Sequence, residues 1–359
     1  MGITHETILE VNTSQLENNL SYLKSKLKTS TKIIAVVKAY AYGHGDIFLA
    51  KKLETFGVHA LWVADFEEGS RLRESGIKIP IIIANPGTKS TEEIVKNKLD
   101  VVIYNFNLLQ LYGELNTKVN IHIKFNTGMN RYGFNPDEIE KLVSTLQQYP
   151  KLKLQSICSH LAATDNPKKD KFTNKQCLIF DDICTKFFAN IGYKVDRHIL
   201  NTNGVLRFAN KEYEMVRLGI GVYGVADDKN LQQISTLKSV ISQVRTIKKG
   251  DKIGYDASFI AIKDMKIGII PFGYADGLNR KLSGRNGTVL VNNTPCPIIG
   301  KISMDSCIID LSNAIATIGD EVIIFGKEIP ILTIAKKLDT IPYEIFATLN
   351  RRIKRVYSS

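Results

Sequence analysis

From Lys32 to about residue 224 the sequence alternates short, almost unbroken apolar runs with longer stretches whose apolar residues recur at helical spacing. The runs are KIIAVVKA from Lys32, ALWVAD from Ala60, PIIIAN from Pro80, DVVIYN from Asp100, NIHIKFNT from Asn120, LQSICSH from Leu154, HILNT from His198 and MVRLG from Met215. Strands that are apolar on both faces belong to a parallel sheet covered by helices. Segments such as DIFLAKKLETFG and FEEGSRLRESG supply helices, each with a glycine where it would stop. Eight alternations predict an α/β chain whose N-terminal part is a (β/α)8 barrel. The rival is an open doubly wound sheet, but no G-x-G-x-x-G follows the first strand.

After about Val225 the texture changes to β-branched runs broken by Gly, Asn and Pro, including KIGYDASFIAI, KIGIIPFGY and GDEVIIFGK. Strands joined by turns without helical crossovers predict a second, mostly β domain. The division is 8–225 for the barrel and 226–359, with 1–7, for the β domain. The early strand ILEVN precedes the barrel pattern and is a candidate to join the β domain. Thr333 to Arg351 is predicted helical.

A net charge of +12 and the basic run from Arg351 to Arg355 raise the question of a polyanionic partner. The lysines are spread along the chain without an aromatic-interleaved patch, so nucleic acid is not expected and a small anionic ligand is the better use of positive charge. Five cysteines with no C-x-x-C pair read as reduced intracellular thiols, and no metal site is expected. The N-terminus, MGITHETILEVN, lacks a leader pattern, and no run of about eighteen apolar residues occurs, so a cytoplasmic protein without a membrane span is expected.

Polar residues close the apolar runs: Lys38, Lys124, His160, Asn201 with Thr202, and Arg217. In a barrel that rim carries the active site. A lysine ending an apolar strand sits in a partly desolvated pocket and is a candidate Schiff-base nucleophile, though a lysine snorkelling from a strand end has the same local sequence. The glycines of Asn201-Thr202-Asn203-Gly204 and of Arg217 to Gly224 follow the last two strands, where barrels bind phosphate.

Longer motifs decide between these readings. Val36-Val37-Lys38-Ala39-Tyr40-Ala41-Tyr42-Gly43-His44-Gly45 resembles the cofactor-lysine motif of the alanine racemase family. The resemblance implies that Lys38 carries pyridoxal 5'-phosphate and that Tyr42 contacts its phosphate. Asn201-Thr202 and Arg217-Leu218-Gly219-Ile220-Gly221-Val222-Tyr223-Gly224 are similar to the family's Asn-Ser and Arg-x-Gly-Ile-x-x-Tyr-Gly motifs. Thr202 stands for serine and keeps the hydroxyl, Leu218 stands where proline is common, and Asn203-Gly204 replaces a usual Ala-Ala pair. Thr202, Gly219 and Ile220 are thereby assigned to the phosphate. Arg217 is assigned to the pyridine nitrogen, where an arginine favours the unprotonated ring and simple proton return over transamination.

Lys124 to Phe134 resembles Lys-x-Asp-Thr-Gly-Met-x-Arg-x-Gly. Arg131 then serves the cofactor's phenolic oxygen and the substrate carboxylate. Lys124 matches a lysine that is often carboxylated in the family, and Asn126 replaces the commoner aspartate. His160 to Asp165 resembles His-Phe-Ala-Thr-Ala-Asp, with His160 linking Arg217 to the second base. His5, His44, His59, His122 and His198 receive no catalytic role.

In the β-rich part, Gly254-Tyr255-Asp256-Ala257 is similar to the Tyr-Gly-Ala segment whose tyrosine is the second base. Gly273-Tyr274-Ala275-Asp276-Gly277 and Gly300-Lys301-Ile302-Ser303-Met304-Asp305 follow in family order and bring Tyr274, Met304 and Asp305 to the substrate side. Asp256 and Lys301 are departures, Lys301 standing where an arginine lines the entrance together with the residue matching Asp165. Tyr343 matches a phosphate-contacting tyrosine that narrows the pocket. The resemblance runs from about Ile8 to Tyr357.

What it implies is interconversion of L- and D-alanine by two bases in a homodimer with shared active sites, supplying D-alanine for peptidoglycan. Lys38 would serve the D-enantiomer, and Tyr255 from the partner subunit the L-enantiomer. Three alternatives remain: a racemase of serine or a longer amino acid, a decarboxylase of the same architecture, and a non-catalytic pyridoxal-phosphate-binding barrel. A decarboxylase would place a carboxylate at the ring nitrogen, which Arg217 opposes, and a bare barrel lacks the β domain.

Overall fold

The computed structural model describes residues 4–359; Met1 to Ile3, assigned above to the β domain, lie outside the described residues. In chain order the first nine strands are β1 (Ile8–Asn12), β2 (Lys32–Val36), β3 (Ala60–Val63), β4 (Ile81–Ile83), β5 (Asp100–Ile103), β6 (Val119–Lys124), β7 (Leu152–Cys158), β8 (Asp196–His198) and β9 (Met215–Leu218). Seven of the eight predicted barrel runs hold strands; at the run HILNT the strand is Asp196–His198, which meets the run only at His198 because Thr202 already starts a helix. Strands β2 to β9 form one parallel sheet in the order β8-β7-β6-β5-β4-β3-β2-β9, and the ring closes where the Arg217 amide donates to Leu200 O at 3.0 Å. Strands β3, β4 and β5 are buried at every residue, as strands covered on both faces must be. Helices Asp46–Thr55 and Phe66–Glu74 occupy the predicted amphipathic segments.

The remaining strands are β10 (Ser235–Val240), β11 (Gln243–Ile247), β12 (Lys252–Ile253), β13 (Phe259–Ile260), β14 (Met265–Ile270), β15 (Thr288–Val291), β16 (Thr294–Ile299), β17 (Cys307–Asp310), β18 (Glu321–Phe325) and β19 (Lys354–Ser358). Nine strands make the second sheet, in the order β11-β14-β17-β16-β15-β18-β10-β1-β19, and β12 pairs with β13 alone. The strand ILEVN is β1, antiparallel to β10 and parallel to β19. It stands in this sheet, not in the barrel to which a division at residue 8 assigns it, because eight strands already fill the ring.

Two local expectations change. KIGYDASFIAI is a short hairpin with Tyr255 on a turn at its tip, because Gly254 (φ 73°) and Asp256 (φ 62°) leave the extended region. Thr333 to Arg351 is two helices, Ile331–Leu338 and Pro342–Ala347. Asp339 ends the first in a left-handed conformation, and Pro342, which has no N–H to donate, starts the second.

The two sheets share one apolar core, and the loop after β2 locks them together. A Cβ on Gly43 would stand 2.0 Å from Phe346 O, and one on Gly45 would stand 1.9 Å from the Tyr357 hydroxyl. Buried Arg355 donates to Gly43 O at 2.9 Å and to three carbonyls of the Leu349–Ile353 segment. Much of the basic run is thereby used inside the chain: Arg351 lies over the Tyr40 ring, and Arg352 pairs with Asp276 and Asp305. All five cysteines are free and buried. Among the described residues no helix is long and apolar enough to cross a membrane, and no His, Cys, Asp and Glu cluster could hold a metal.

Candidate active site

A cavity of about 690 Å³ opens at the carboxyl ends of the barrel strands. It brings together Lys38, Tyr42, Lys124, Arg131, His160, Asn201, Thr202, Arg217, Gly219, Ile220 and Tyr343, all named from sequence. Tyr255, Tyr274, Met304 and Asp305 do not line it. Tyr255 is 69% exposed on its turn, and the Asp305 carboxylate is held by Arg352 at 2.6 Å.

Lys38 follows β2 at the start of a single left-handed turn in which Ala39, Tyr40, Ala41 and Tyr42 all have φ between 50° and 58°. Such a turn is costly for residues with a Cβ. Glu68 offsets part of that cost, its carboxylate accepting from the Ala39 amide at 2.6 Å and the Ala64 amide at 2.8 Å. His44 adds to it, bridging Ala41 O and the Ser235 hydroxyl. Burial, with Arg131 and Arg217 nearby, lowers the pKa of Lys38 and so favours its nucleophilic neutral amine.

The anion cradle is built on Thr202. Its hydroxyl accepts from the amides of Gly219 at 3.1 Å and Gly221 at 3.4 Å, and Asn201 caps the helix that follows by accepting from Gly204 N–H at 2.8 Å. Gly219 cannot carry a side chain freely, since a Cβ there would lie 3.0 Å from the Tyr42 hydroxyl. Tyr42 packs edge-on against Tyr343 at 5.6 Å between ring centroids.

Arg217 is 5% exposed. It donates to Ser159 O at 2.6 Å, to His160 Nδ1 at 3.1 Å, to Ile199 O at 3.3 Å and to His198 Nδ1, and its guanidinium lies 5.4 Å from the Trp62 ring centroid. Every acceptor is neutral. Burial and the cation of Arg217 push His160 and His198 well below the usual histidine range, so both rings are neutral and accept at Nδ1. Among the described residues nothing accepts from the Arg217 Nε–H. A free guanidinium donor, a lysine amine and an amide-lined cradle in one cavity fit a cofactor that combines an aldehyde, a ring nitrogen and a phosphate. Sequence reasoning missed Trp62, Glu68 and His198; only the polar residue at the head of HILNT gave a signal.

The profile of the alanine racemase N-terminal domain matches residues 11–227, and that of the C-terminal domain matches residues 234–357. The chain belongs to the alanine racemase family. It is 36% identical to an alanine racemase of Treponema denticola, covering 97% of each chain. It superposes on the structure of an alanine racemase of Clostridium difficile 630 with a TM-score of 0.94 and 31% identity, covering 99% and 97% of the two chains. A structure of alanine racemase from Bartonella henselae with covalently bound pyridoxal phosphate matches with a TM-score of 0.90 and 28% identity, covering 99% of this chain and 100% of that one.

The departures from the alanine racemase pattern are compensated locally. Asn126 Oδ1 accepts from the amides of Gly128 at 3.1 Å and Asn130 at 3.0 Å, the acceptor role an aspartate would play in shaping the loop before Arg131. Asp256 replaces glycine in a left-handed conformation that aspartate tolerates, and its carboxylate meets Lys301 at 2.6 Å, so two departures pair with each other. The added methyl of Thr202 lies against a glycine: a Cβ on Gly221 would stand 2.2 Å from Thr202 Cγ2.

Gly221→Ala is therefore expected to destabilise the chain by about 1–3 kcal/mol and to weaken cofactor binding, because Thr202 must leave the two amides it holds. Adding Thr202→Ser should recover most of both losses. Melting curves and cofactor titrations check this, and equal losses in the single and double variants would show that the methyl is not the obstacle.

Proposed function

We propose that the chain is a pyridoxal-phosphate-dependent alanine racemase that interconverts L- and D-alanine with two bases. The observation that carries this reading is Arg217, buried in the cavity of Lys38 on neutral acceptors, with Nε–H left for a ring nitrogen. Pyridoxal phosphate, when bound, supplies an aldehyde for the amino group and a ring that draws electron density from the α-carbon. Lys38 would hold the cofactor through its amine and, as a free amine, would move the α-proton on one face. Thr202, Tyr42, Gly219, Ile220 and Tyr343 hold the phosphate, Asn201 caps the helix behind it, and Arg131 orients the substrate carboxylate. Arg217 donates to the ring without protonating it, which restrains charge build-up and favours return of the proton to carbon.

The second base is Tyr255 of the partner subunit in a homodimer with shared sites. On a single chain Tyr255, Tyr274 and Met304 are exposed, and exposed apolar groups of this size mark an interaction surface. Neutral His160, accepting from Arg217 at Nδ1, carries its proton on Nε2 and can donate to that tyrosine. Buried free cysteines fit a cytoplasmic setting, and D-alanine for peptidoglycan is the product's use.

The direct test incubates the pure protein with L-alanine and with L-serine and assays each D-enantiomer. Rapid D-alanine formation with little D-serine is expected; no D-alanine rejects the reading. For the shared site, Lys38→Ala and Tyr255→Phe homodimers should each be nearly inactive. Random subunit exchange should restore roughly a quarter of wild-type activity, because half the dimers then hold one intact site. Proven mixed dimers with no activity would place both bases in one chain.

Lys124 is buried, and burial with Arg217, Arg131 and Lys38 around it lowers its pKa to about 8. A neutral fraction at that pH adds to carbon dioxide: an N–C bond forms, a proton leaves to solvent, and the resulting carbamate offsets the cations beside it. Holoenzyme equilibrated with carbon-13 bicarbonate should show a carbamate resonance that Lys124→Ala lacks. The same resonance in the variant would assign it elsewhere.

A further inference from the structure

Behind Arg217, on the side away from the cavity, polar side chains continue through the barrel interior. His198 Nε2 is 3.0 Å from the Ser156 hydroxyl, the same hydroxyl is 2.6 Å from His122 Nδ1, and His122 Nε2 faces Asp100 Oδ2 at 3.5 Å. Asp100 also accepts from the Asn120 amide at 3.0 Å. Ser156 and His198 are fully buried and His122 nearly so. The meeting of Ser156 and His122 is built into the sheet. Along β6 and β7 the register runs Ile121 to Leu154 and then shifts, so that His122 pairs with Ser156 and Gln155 is passed over. An irregularity of this kind re-aims side chains.

The direction at the Arg217 end follows from one fact: a guanidinium donates and never accepts. His198 Nδ1 must therefore be bare, so the proton of its neutral ring is on Nε2 and goes to the Ser156 oxygen. Having accepted there, Ser156 has its own proton to give, and His122 Nδ1 at 2.6 Å is the ring nitrogen within its reach. His122 Nε2 is turned toward the Asp100 carboxylate at 3.5 Å without a hydrogen bond to it. The arrangement has Arg217 at one end, Asp100 at the other and two imidazoles joined by the Ser156 hydroxyl between them.

We propose that Ser156 is a positioning residue for racemisation: by joining His122 to His198 it fixes His198 as the acceptor of Arg217 and so keeps the arginine aimed at the cofactor ring. This rests on the reading above that Arg217 serves that ring. Without the hydroxyl, His198 Nε2 loses its acceptor inside a dry barrel. The ring can then flip or take the other tautomer, and either change withdraws the acceptor from Arg217. Substrate carboxylate binding, which falls to Arg131, is untouched.

Ser156→Ala removes one oxygen and leaves the backbone alone, and its melting curve shows whether it folds. In the holoenzyme it is expected to lower kcat about five- to tenfold with KM for alanine changed by less than about twofold, the loss of one buried hydrogen bond acting only on the chemical step. The second measurement does not depend on turnover. In holoenzyme labelled with nitrogen-15 histidine, His198 should show a bare Nδ1 and a protonated Nε2, and Ser156→Ala should shift or broaden both signals. A wild-type His198 protonated on Nδ1, or a folded Ser156→Ala enzyme with wild-type kcat, overturns the proposal. If the wild-type enzyme racemises no amino acid, the functional reading fails instead, while the tautomers still report on the hydrogen-bond chain.

Discussion

The buried guanidinium of Arg217 is the constraint around which the barrel interior is arranged. A cation taken out of water needs an acceptor for each donor it turns inward, and here the acceptors are the carbonyls of Ser159, His198 and Ile199 and the rings of His160 and His198. Those carbonyls are available only because β7 and β8 end at the same level and their last peptides point into the ring. Since none of the acceptors is charged, the positive charge stays uncompensated by contact. Burial, with this charge added to it, lowers the pKa values of Lys38, Lys124, His160 and His198 together. A cavity of mutually depressed cations and neutral histidines favours anions, which suits a phosphate at one end and a substrate carboxylate at the other.

A second constraint sits across the cavity. The left-handed turn from Ala39 to Tyr42 costs about 1–2 kcal/mol per residue when every member carries a Cβ. It persists because its surroundings hold it: Glu68 takes the first amide, His44 pins the third carbonyl, and Gly43 and Gly45 press against Phe346 and Tyr357 of the β domain. Strain at the cofactor lysine is thus sustained by contacts with residues about three hundred positions later. Loosening the joint between the sheets would therefore disturb Lys38 before it disturbed the barrel.

The barrel was legible because parallel strands buried on both faces leave a signal no amphipathic pattern imitates, and seven of the eight runs from Lys32 to Met215 hold strands, HILNT meeting its strand only at His198. The rim residues were legible because they break those runs at their ends. Other features have no such signature. His122 and Ser156 sit inside strands, where a polar residue reads as an isolated satisfied group, His198 ends the short strand Asp196–His198 behind two charged residues, and the irregularity that pairs His122 with Ser156 is a property of two strands at once. The placement of Tyr255 on a turn depends on the positive φ of Asp256, which aspartate permits without announcing it. Asp256 and Lys301 looked like independent departures until the structure showed them in contact. Pairwise facts of this kind are carried by distance in space, which spacing along the chain does not encode.

The same geometry favours a donor over a carboxylate at position 217. Three acceptors around the Arg217 side chain are main-chain oxygens, and main-chain oxygens cannot be retuned by protonation. A carboxylate placed there would face lone pairs on Ser159, His198 and Ile199, with no protein donor among those three to meet it. Replacing the histidines would not help, because the offending atoms belong to the strands. The choice between an arginine and an acid opposite the cofactor ring is therefore written into where the barrel strands end.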